Sequence, residues 1–348
     1  MIPIPLAPNL IDHHYLGGAK IAALRRIPCT SEFQPEEWLG ATVSRADSPV
    51  TGLAQTKDGA LLRDLIMGDP AGWIGPSHST AATPGDTGLL VKLLDAGQRL
   101  PVHVHPSRAF ARAHLDCPYG KTEAWYVLDC APGSAFYLGW NTDVDSTEVD
   151  RRRDAQDSEW MLAHMNRIEA QRGMGILVPA GTVHAIDAGI FVAEVQEPTD
   201  FSLLLEWSIT TSTRDESHLG IGFDRAMSLV TMTATTADLA MLTSHNDRVV
   251  DGPRPTSLLP SAADPYFRIW CAKPTSDDST EIRRGFAIAL VLSGSGSFSG
   301  AGTITFSAGD VFAVPESFGD WRIAGTGEVL VATPGDHWPQ TLSSGGIR

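Results

Sequence analysis

The hydrophobic positions of this chain fall mostly in short runs that turn-forming residues interrupt. Between residues 88 and 207, apolar residues that include β-branched and aromatic types form runs at 89–94, 124–128, 176–179 and 190–196. Runs of four to eight such residues, bounded by Gly, Pro or Asp, are typical of β-strands. The pattern therefore predicts a β-rich domain in this part of the chain.

A second β-rich stretch follows a segment of helical character. The spacing at 223–232 and 237–243 favours helices, and a Pro-rich segment at 253–265 is typical of a linker. Further short strands are predicted at 266–271, 286–292, 302–306, 311–314 and 328–332. We therefore predict two domains, 1–260 with an N-terminal extension and a helical segment at about 216–260, and 261–348.

The two β-rich regions repeat one spacing of turn residues. The same intervals separate Gly173, Pro179, Gly181 and His184 in the first region and Gly309, Pro315, Ser317 and Asp320 in the second. A Gly that leads into a strand, a Pro that ends it and a small residue in the next turn suit a hairpin in a double-sheet barrel. We predict an all-β dominated bicupin with some α: two double-stranded β-helix jelly rolls, with a short helical and linker segment between them.

Composition narrows the classes of partner and location. The 348 residues include 41 Asp and Glu against 26 Lys and Arg, a net charge of -15, which argues against nucleic acid and anionic membranes as partners. Four widely spaced cysteines do not suit a disulfide framework or a cysteine zinc site, and the N-terminus lacks the features of a secretory signal. We predict a cytoplasmic protein that is a monomer or a homodimer.

The first β-rich region contains a pattern typical of a metal site. His103 and His105 lie two residues apart, so on a strand both imidazoles project from one face. Glu123 opens another strand, and the hairpin spacing brings in His184. This set suits a divalent metal, Zn first, with Mn, Fe, Ni or Co as alternatives. The other interpretation is an ordinary strand face.

The second region lacks this pattern. It contains no His-x-His, and Asp320 alone is a poor ligand set. We therefore predict that residues 261–348 form a degenerate cupin without metal, a module for packing and assembly.

Five segments of the first region carry recognisable motifs. They are Gly-Leu-Leu-Val-Lys-Leu-Leu-Asp-Ala-Gly at 88–97, Leu-Pro-Val-His-Val-His-Pro at 100–106, Gly-Lys-Thr-Glu-Ala-Trp-Tyr-Val at 120–127, Val-Pro-Ala-Gly-Thr-Val-His-Ala-Ile at 178–186 and Ala-Glu-Val-Gln at 193–196. With these motifs the chain resembles the type I mannose-6-phosphate isomerase family in its short bacterial form. The resemblance implies a zinc-containing cupin that interconverts mannose 6-phosphate and fructose 6-phosphate, with His103, His105, Glu123 and His184 as metal ligands.

The sequence departs from this family at two positions. The family has Gln where this chain has His103, which leaves the choice of metal open. It also has a catalytic Arg ten residues after the Glu that matches Glu194, where this chain has Leu204. An apolar side chain cannot stabilise an anionic enediolate as a guanidinium does. An isomerase of a non-phosphorylated or differently charged sugar is therefore an alternative.

Isomerisation also needs groups that move protons and bind the sugar. The family match favours Glu194 as the base, and Lys121, two residues before Glu123, is a candidate proton relay or electrostatic clamp. The structural alternative for Glu194 is a salt bridge, and that for Lys121 is a solvated surface position. Arg108 and Arg112 are the nearest cations in sequence for an anionic group of a sugar or sugar phosphate, although their spacing equally suits one solvated helix face.

Two other functions remain compatible with the sequence. One is a non-catalytic cupin that binds a carbohydrate, and the other is a cupin oxygenase or epimerase with a redox metal. Metal analysis separates the oxygenase from the isomerase, because zinc does not change its oxidation state. Proton exchange at C2 of a sugar separates the isomerase from the binding protein.

Overall fold

The computed structural model describes residues 1–13, 15–45, 48–78, 85–245 and 254–335. Strands make up 34% and helices 19%, which confirms the prediction of a mainly β fold with some α. The strands are β1 (Ile4–Pro5), β2 (Leu10–Ile11), β3 (Glu36–Leu39), β4 (Leu90–Asp95), β5 (His103–Val104), β6 (Glu123–Asp129), β7 (Ala135–Trp140), β8 (Met165–Glu169), β9 (Met174–Val178), β10 (His184–Ile186), β11 (Phe191–Gln196), β12 (Leu203–Leu204), β13 (Thr243–His245), β14 (Thr256–Ser257), β15 (Phe267–Ala272), β16 (Thr280–Ile282), β17 (Ala287–Ser299), β18 (Thr303–Ser307), β19 (Val311–Val314) and β20 (Trp321–Pro334).

The helices are short and lie between strands. They are α1 (Ala19–Arg25), α2 (Leu62–Gly68), α3 (Pro70–Ile74), α4 (Arg108–His114), α5 (Ser146–Asp154), α6 (Ser158–Ala163), α7 (Phe223–Ala226) and α8 (Leu239–Leu242), with 3-10 turns at Met227–Leu229, Thr236–Asp238, Ser261–Ala263 and Glu316–Phe318. Among the described residues, no helix has the length and apolar character needed to cross a membrane.

Two antiparallel sheets form the first β-rich region. One has seven strands in the order β13-β9-β6-β11-β4-β3-β2, and the other has five in the order β12-β5-β10-β7-β8. β4, β9 and β11 are buried along their whole length, as expected for apolar runs in the middle of a packed sheet. Trp125 of β6 stacks on Phe136 of β7 with ring centroids 5.2 Å apart, so the two sheets pack against each other.

The second region is one eight-stranded sheet curved around an aromatic core. Its order is β1-β19-β17-β20-β15-β14, with β18 on β17 and β16 on β20. Phe298 lies at the centre, with ring centroids 4.6 Å from Phe306 and 5.2 Å from both Phe312 and Trp321. These rings occupy the interior of the curved sheet.

The N-terminus contacts the second region. β1 pairs with β19, with Ile4 opposite Ala313, and the Arg25 side chain donates to the carbonyl of Gly309. The domain boundary near residue 260 stays a prediction. Strand β1 comes from the first predicted domain but belongs to the sheet of the second region.

The predicted strands lie where the hydrophobic runs placed them. The run at 89–94 is β4, and the run at 190–196 is β11, each within one residue of the predicted start. The hydrophobic pattern did not predict α5, which is mostly polar, or α6, which has only six residues. The carboxylates of Asp145 and Asp157 accept hydrogen bonds from backbone N–H groups in the first turns of these helices, which is the usual start signal.

The repeated turn spacing corresponds to similar local structure. Gly173 and Gly309 have φ of 86° and 89°, a left-handed conformation that favours glycine. Each precedes a strand, β9 or β19, and a second strand, β10 or β20, follows the turn. The repeat in sequence is therefore a repeat in backbone structure.

Candidate functional site

Neighbouring strands bring the predicted histidines together. β10 pairs with β5 so that His184 lies opposite His103, and directly opposed residues of an antiparallel pair project to the same face. His105 follows β5 on that face. The ring centroid of His184 lies 4.0 Å from that of His103 and 4.8 Å from that of His105. One nitrogen from each of the three buried rings lies within 4.8 Å of the others.

Backbone carbonyls fix the tautomer of each imidazole. Nδ1 of His103 lies 2.8 Å from the Pro101 carbonyl oxygen, and Nδ1 of His184 lies 2.8 Å from that of Thr182. Nδ1 of His105 lies 2.7 Å from the carbonyl oxygen of Phe201. Because a carbonyl only accepts, Nδ1 carries the proton in all three rings, so Nε2 is the nitrogen with the lone pair when the ring is neutral.

Two of these rings are held neutral. Burial, with the neighbouring rings, keeps the pKa of His103 well below its usual range. Burial, with Lys121, lowers the pKa of His105 to about 3. Neutral imidazoles with Nε2 lone pairs are the form in which histidine binds metals.

Glu123 reaches the histidines from the facing sheet. Its Oε2 lies 3.1 Å from Nε2 of His105, and its Oε1 lies 3.3 Å from Nε2 of His184. Both of these buried nitrogens lack a hydrogen-bond partner. Lone pairs of nitrogen and carboxylate oxygen that face each other without a proton between them repel, and a cation at this point would satisfy both. The donor set therefore fits a divalent metal.

Lys121 stays beside the carboxylate. Its Nζ lies 3.4 Å from Oε2 of Glu123, and the side chain is 7% exposed. Although Glu123 is buried, its pKa lies well below its usual range, because the Lys121 ammonium beside it favours the charged carboxylate. Glu123 is therefore a carboxylate, as a metal ligand must be.

A cavity of about 400 Å³ opens above this cluster. Its floor includes His103 and Glu123 and extends over the seven-stranded sheet, where Trp125, Glu194 and Lys92 lie opposite one another on β6, β11 and β4. Burial, then the charge of Glu123, raises the pKa of Glu194 to about 8. The sheet thus presents a carboxyl group that exchanges protons near neutral pH next to the histidine cluster.

Lys92 and its partners Glu36 and Tyr15 line the same cavity and were not among the predicted site residues. Nζ of Lys92 lies 3.1 Å from Oε2 of Glu36, which also accepts a 2.8 Å hydrogen bond from Nε1 of Trp38. The hydroxyl of Tyr15 donates to Oε1 of Glu36 at 2.6 Å. Burial would lower the pKa of Lys92, but Glu36 and then Glu194 raise it above its usual value. A lysine inside the apolar run at 89–94 was the available signal.

Leu204 and the two predicted arginines occupy different places. Leu204 of β12 lies opposite His103 and lines the cavity. Arg108, in α4, instead pairs with Glu197 and borders a separate cavity of about 320 Å³ with Tyr266. Arg112 lies in the last turn of α4, outside the lining of either cavity. The structure therefore brings Glu194 and Lys121 to the histidine cluster but not these two arginines, whose substrate role stays a prediction.

Comparisons with known proteins agree with this geometry. The chain is 29% identical over 252 residues, 71% of its length and 75% of the relative's, to the probable mannose-6-phosphate isomerase GmuF of Bacillus subtilis (strain 168). Among solved structures, the mannose 6-phosphate isomerase from Bacillus subtilis has a TM-score of 0.72 at 22% identity, covering 95% of this chain and 99% of that one. A mannose 6-phosphate isomerase bound with zinc and yttrium has a TM-score of 0.72 at 14% identity, covering 96% and 100%. No protein-family model matches the chain.

These similarities confirm the resemblance to mannose-6-phosphate isomerases that the sequence motifs indicated. The chain is similar in sequence to mannose-6-phosphate isomerases and shares the cupin fold of the solved phosphomannose isomerases. The histidine cluster lies inside that fold and can hold a metal ion.

Proposed function

We propose that the protein is a metal-dependent aldose–ketose isomerase that interconverts mannose 6-phosphate and fructose 6-phosphate. The observation that carries the proposal is the convergence of two unpaired imidazole nitrogens on the Glu123 carboxylate, at the floor of a cavity that also contains Glu194. The cavity volume lies within the range of about 300–1,000 Å³ that is usual for small-molecule sites.

The metal in this proposal is zinc, held by His103, His105, Glu123 and His184. Neutral imidazoles and a carboxylate are ligands that zinc accepts, and one structure with the same fold was determined with zinc. A divalent ion bound there supplies Lewis-acid polarisation of the sugar oxygens next to the reacting carbons.

Glu194 transfers the carbon-bound proton in this reaction. It accepts the proton that leaves C2 of the aldose and donates it to C1, while a second proton passes from the C2 hydroxyl to the C1 oxygen. Lys121 relays this second proton, and the position of its Nζ beside Glu123 at the cavity floor supports this role. The ammonium of Lys92, opposite Glu194 on the neighbouring strand, stabilises the negative charge of the enediolate between the two transfers.

The other candidate functions have less support. A protein that only binds carbohydrate has no need of a proton-exchanging carboxyl group that faces a lysine beside a metal cluster. An oxygenase or epimerase, or an isomerase of a non-phosphorylated sugar, is not favoured by the relatives, which are named mannose-6-phosphate isomerases. The predictions of a cytoplasmic location and of a monomer or homodimer belong to the same proposal and rest on the sequence alone.

The proposal is tested by following proton exchange at C2 of mannose 6-phosphate and formation of fructose 6-phosphate. We expect Glu194→Gln to lower turnover by about 100-fold while the metal content stays unchanged, because a positioned acid or base contributes about that factor. Glu169→Gln, the same change at an exposed position of β8, is the matched control. If purified, metal-loaded protein neither exchanges the proton nor forms the ketose, the proposed function is wrong.

A further inference from the structure

The cavity has a buried floor and a more exposed rim. The floor carries the charged groups of the proposed chemistry, namely Glu123 and Glu194 with Lys92 and Lys121, all of them buried. The rim is formed by residues of the loop at 205–222, which are half-buried or exposed, and by Arg45 on the N-terminal side. A substrate that enters therefore meets the rim with one end and the histidine cluster with the other.

The proposed substrate carries its charge far from its reacting atoms. If C1 and C2 lie at the histidine cluster, the phosphate on C6 is at the opposite end of the carbon chain and faces the rim. A phosphate in a partly buried site requires cationic donors, because removing its hydration is otherwise unfavourable. The phosphate is therefore expected to contact a positively charged side chain at the rim.

The two lysines of the cavity are committed to its floor. Lys92 lies 3.1 Å from the Glu36 carboxylate, with its Nζ 4.7 Å from the ring centroid of Trp38. Lys121 lies 3.4 Å from Glu123, one of the proposed metal ligands. Both ammonium groups therefore lie near the expected position of the reacting carbon atoms, and neither lies at the rim.

Arg45 is the arginine in the described lining of this cavity, and it lies at the rim. Its side chain is half-buried, and Nη1 donates to the backbone carbonyl of Asp12 at 2.8 Å. This hydrogen bond attaches the guanidinium to the segment that also contributes His13 and Tyr15 to the cavity wall. The planar guanidinium of an arginine matches a pair of phosphate oxygens in geometry.

Among the described residues that line the cavity, no other position of the rim carries a positive charge. Leu204, beside His103, is apolar, and Arg108 is directed to Glu197 outside the cavity. The carboxylate of Glu216 also lies at the rim. It opposes anion binding, and the positive charge of Arg45 offsets it.

We infer that Arg45 binds the phosphate group of the sugar substrate and sets the preference for phosphorylated over free sugar. The inference rests on the proposed function, because it is the position of C1 and C2 at the histidine cluster that directs C6 to the rim. Arg45 is thus a specificity residue supplied by the N-terminal segment and not by either jelly-roll sheet.

The test compares Arg45→Ala and Arg45→Lys with Arg214→Ala. Arg214 is exposed and lies in the rim loop but does not line the cavity, so its removal changes the net charge equally. For Arg45→Ala we expect KM for mannose 6-phosphate to rise about 10- to 100-fold, the range for a lost hydrogen bond to a charged group. Turnover should change by less than about threefold, as for an interaction of equal strength in ground and transition states. The KM of Arg45→Lys should lie between those of the wild type and Arg45→Ala, because lysine keeps the positive charge but lacks the paired N–H donors of the guanidinium.

A second measurement uses inorganic phosphate as a competitive inhibitor, whose inhibition constant should rise with KM in Arg45→Ala and stay unchanged in Arg214→Ala. An unchanged KM in Arg45→Ala overturns the inference and leaves the proposed isomerase activity standing. An equal rise in Arg214→Ala also overturns it, because the effect is then one of net charge. If the wild-type protein does not convert mannose 6-phosphate, the proposed function fails first and the inference fails with it.

Discussion

The two β-rich regions share a turn pattern but fill their interiors with opposite kinds of side chain. In the first, the turn after β9 leads to His184, which is completely buried and faces His103 and Glu123. In the second, the turn after β19 leads to Asp320, whose side chain is 75% exposed. The same backbone unit therefore supports a polar cavity in one region and an aromatic core in the other.

A shift of one residue explains the difference. His184 is the first residue of β10 and points inward, whereas Asp320 precedes β20, and it is the next residue, Trp321, that points into the core. Because side chains alternate along a strand, a displacement by one position exchanges the inner and outer faces. The repeated spacing in the sequence thus does not place equivalent side chains in equivalent positions.

The largest effect should come from His184→Ala. We expect the variant to lose its metal and more than about 100-fold of its activity, since even the loss of a residue that supports a metal ligand costs about 10- to 100-fold. Elemental analysis of protein purified without chelators gives the metal content. Asp320→Ala, at the matching position of the second region, is the control and should retain both properties.

This comparison fails if His184→Ala keeps its full metal content. The same holds if Asp320→Ala loses metal, since the ion would then lie outside the histidine cluster. Replacement of His184 also removes the hydrogen bond from its Nδ1 to the carbonyl of Thr182. Folding of the variant is therefore checked separately by circular dichroism.

The sequence predicted that the three histidines lie together, because two independent signals mark them. His103 and His105 have strand spacing, and His184 follows the turn of Gly173, so ligand type and turn residues agree independently. The strands themselves were predictable from short apolar runs, because β-rich packing depends on local patterns of burial. Such features can be predicted from local sequence alone, without knowing which distant segments of the chain come together.

In other parts of the cavity, a residue's partners depend on how distant segments come together, and no local pattern predicts those partners. Lys92 is one polar residue in an apolar run, and only its pairing with β3 and β11 shows that it faces Glu36 and Glu194. Arg45 carries no local signal, because a loop brings it to the rim. Conversely, Arg108 is close in sequence to the ligands, but the start of α4 directs it to Glu197.

An intermediate effect should come from the aromatic core of the second region. Phe298→Ala removes a completely buried ring that contacts Phe306, Phe312 and Trp321, and we expect the free energy of unfolding to fall by about 3–5 kcal/mol. Urea denaturation measures this loss. Phe33→Ala, the same change at a side chain that is 43% exposed, should alter stability by less than about 0.5 kcal/mol.

The same variant tests the proposed division into 1–260 and 261–348. If the regions are separate domains, folded Phe298→Ala protein should bind as much metal as the wild type. A proportionate loss of metal would contradict the division and would show that the second region is coupled to the histidine cluster, as expected from the buried hydrophobic cluster that contains residues of both regions.

The smallest effect should come from Asp320→His, which gives the second region the residue that the first has at the matching position of the turn. We expect metal stoichiometry to stay unchanged, because residue 320 faces solvent beside Arg284, whose backbone N–H donates to its carboxylate at 2.9 Å. Stability should fall by less than about 1 kcal/mol, the usual contribution of an exposed ion pair. Elemental analysis decides the matter, because a second tightly held ion would mean that the turn spacing, and not the face on which the side chain lies, determines where metal binds.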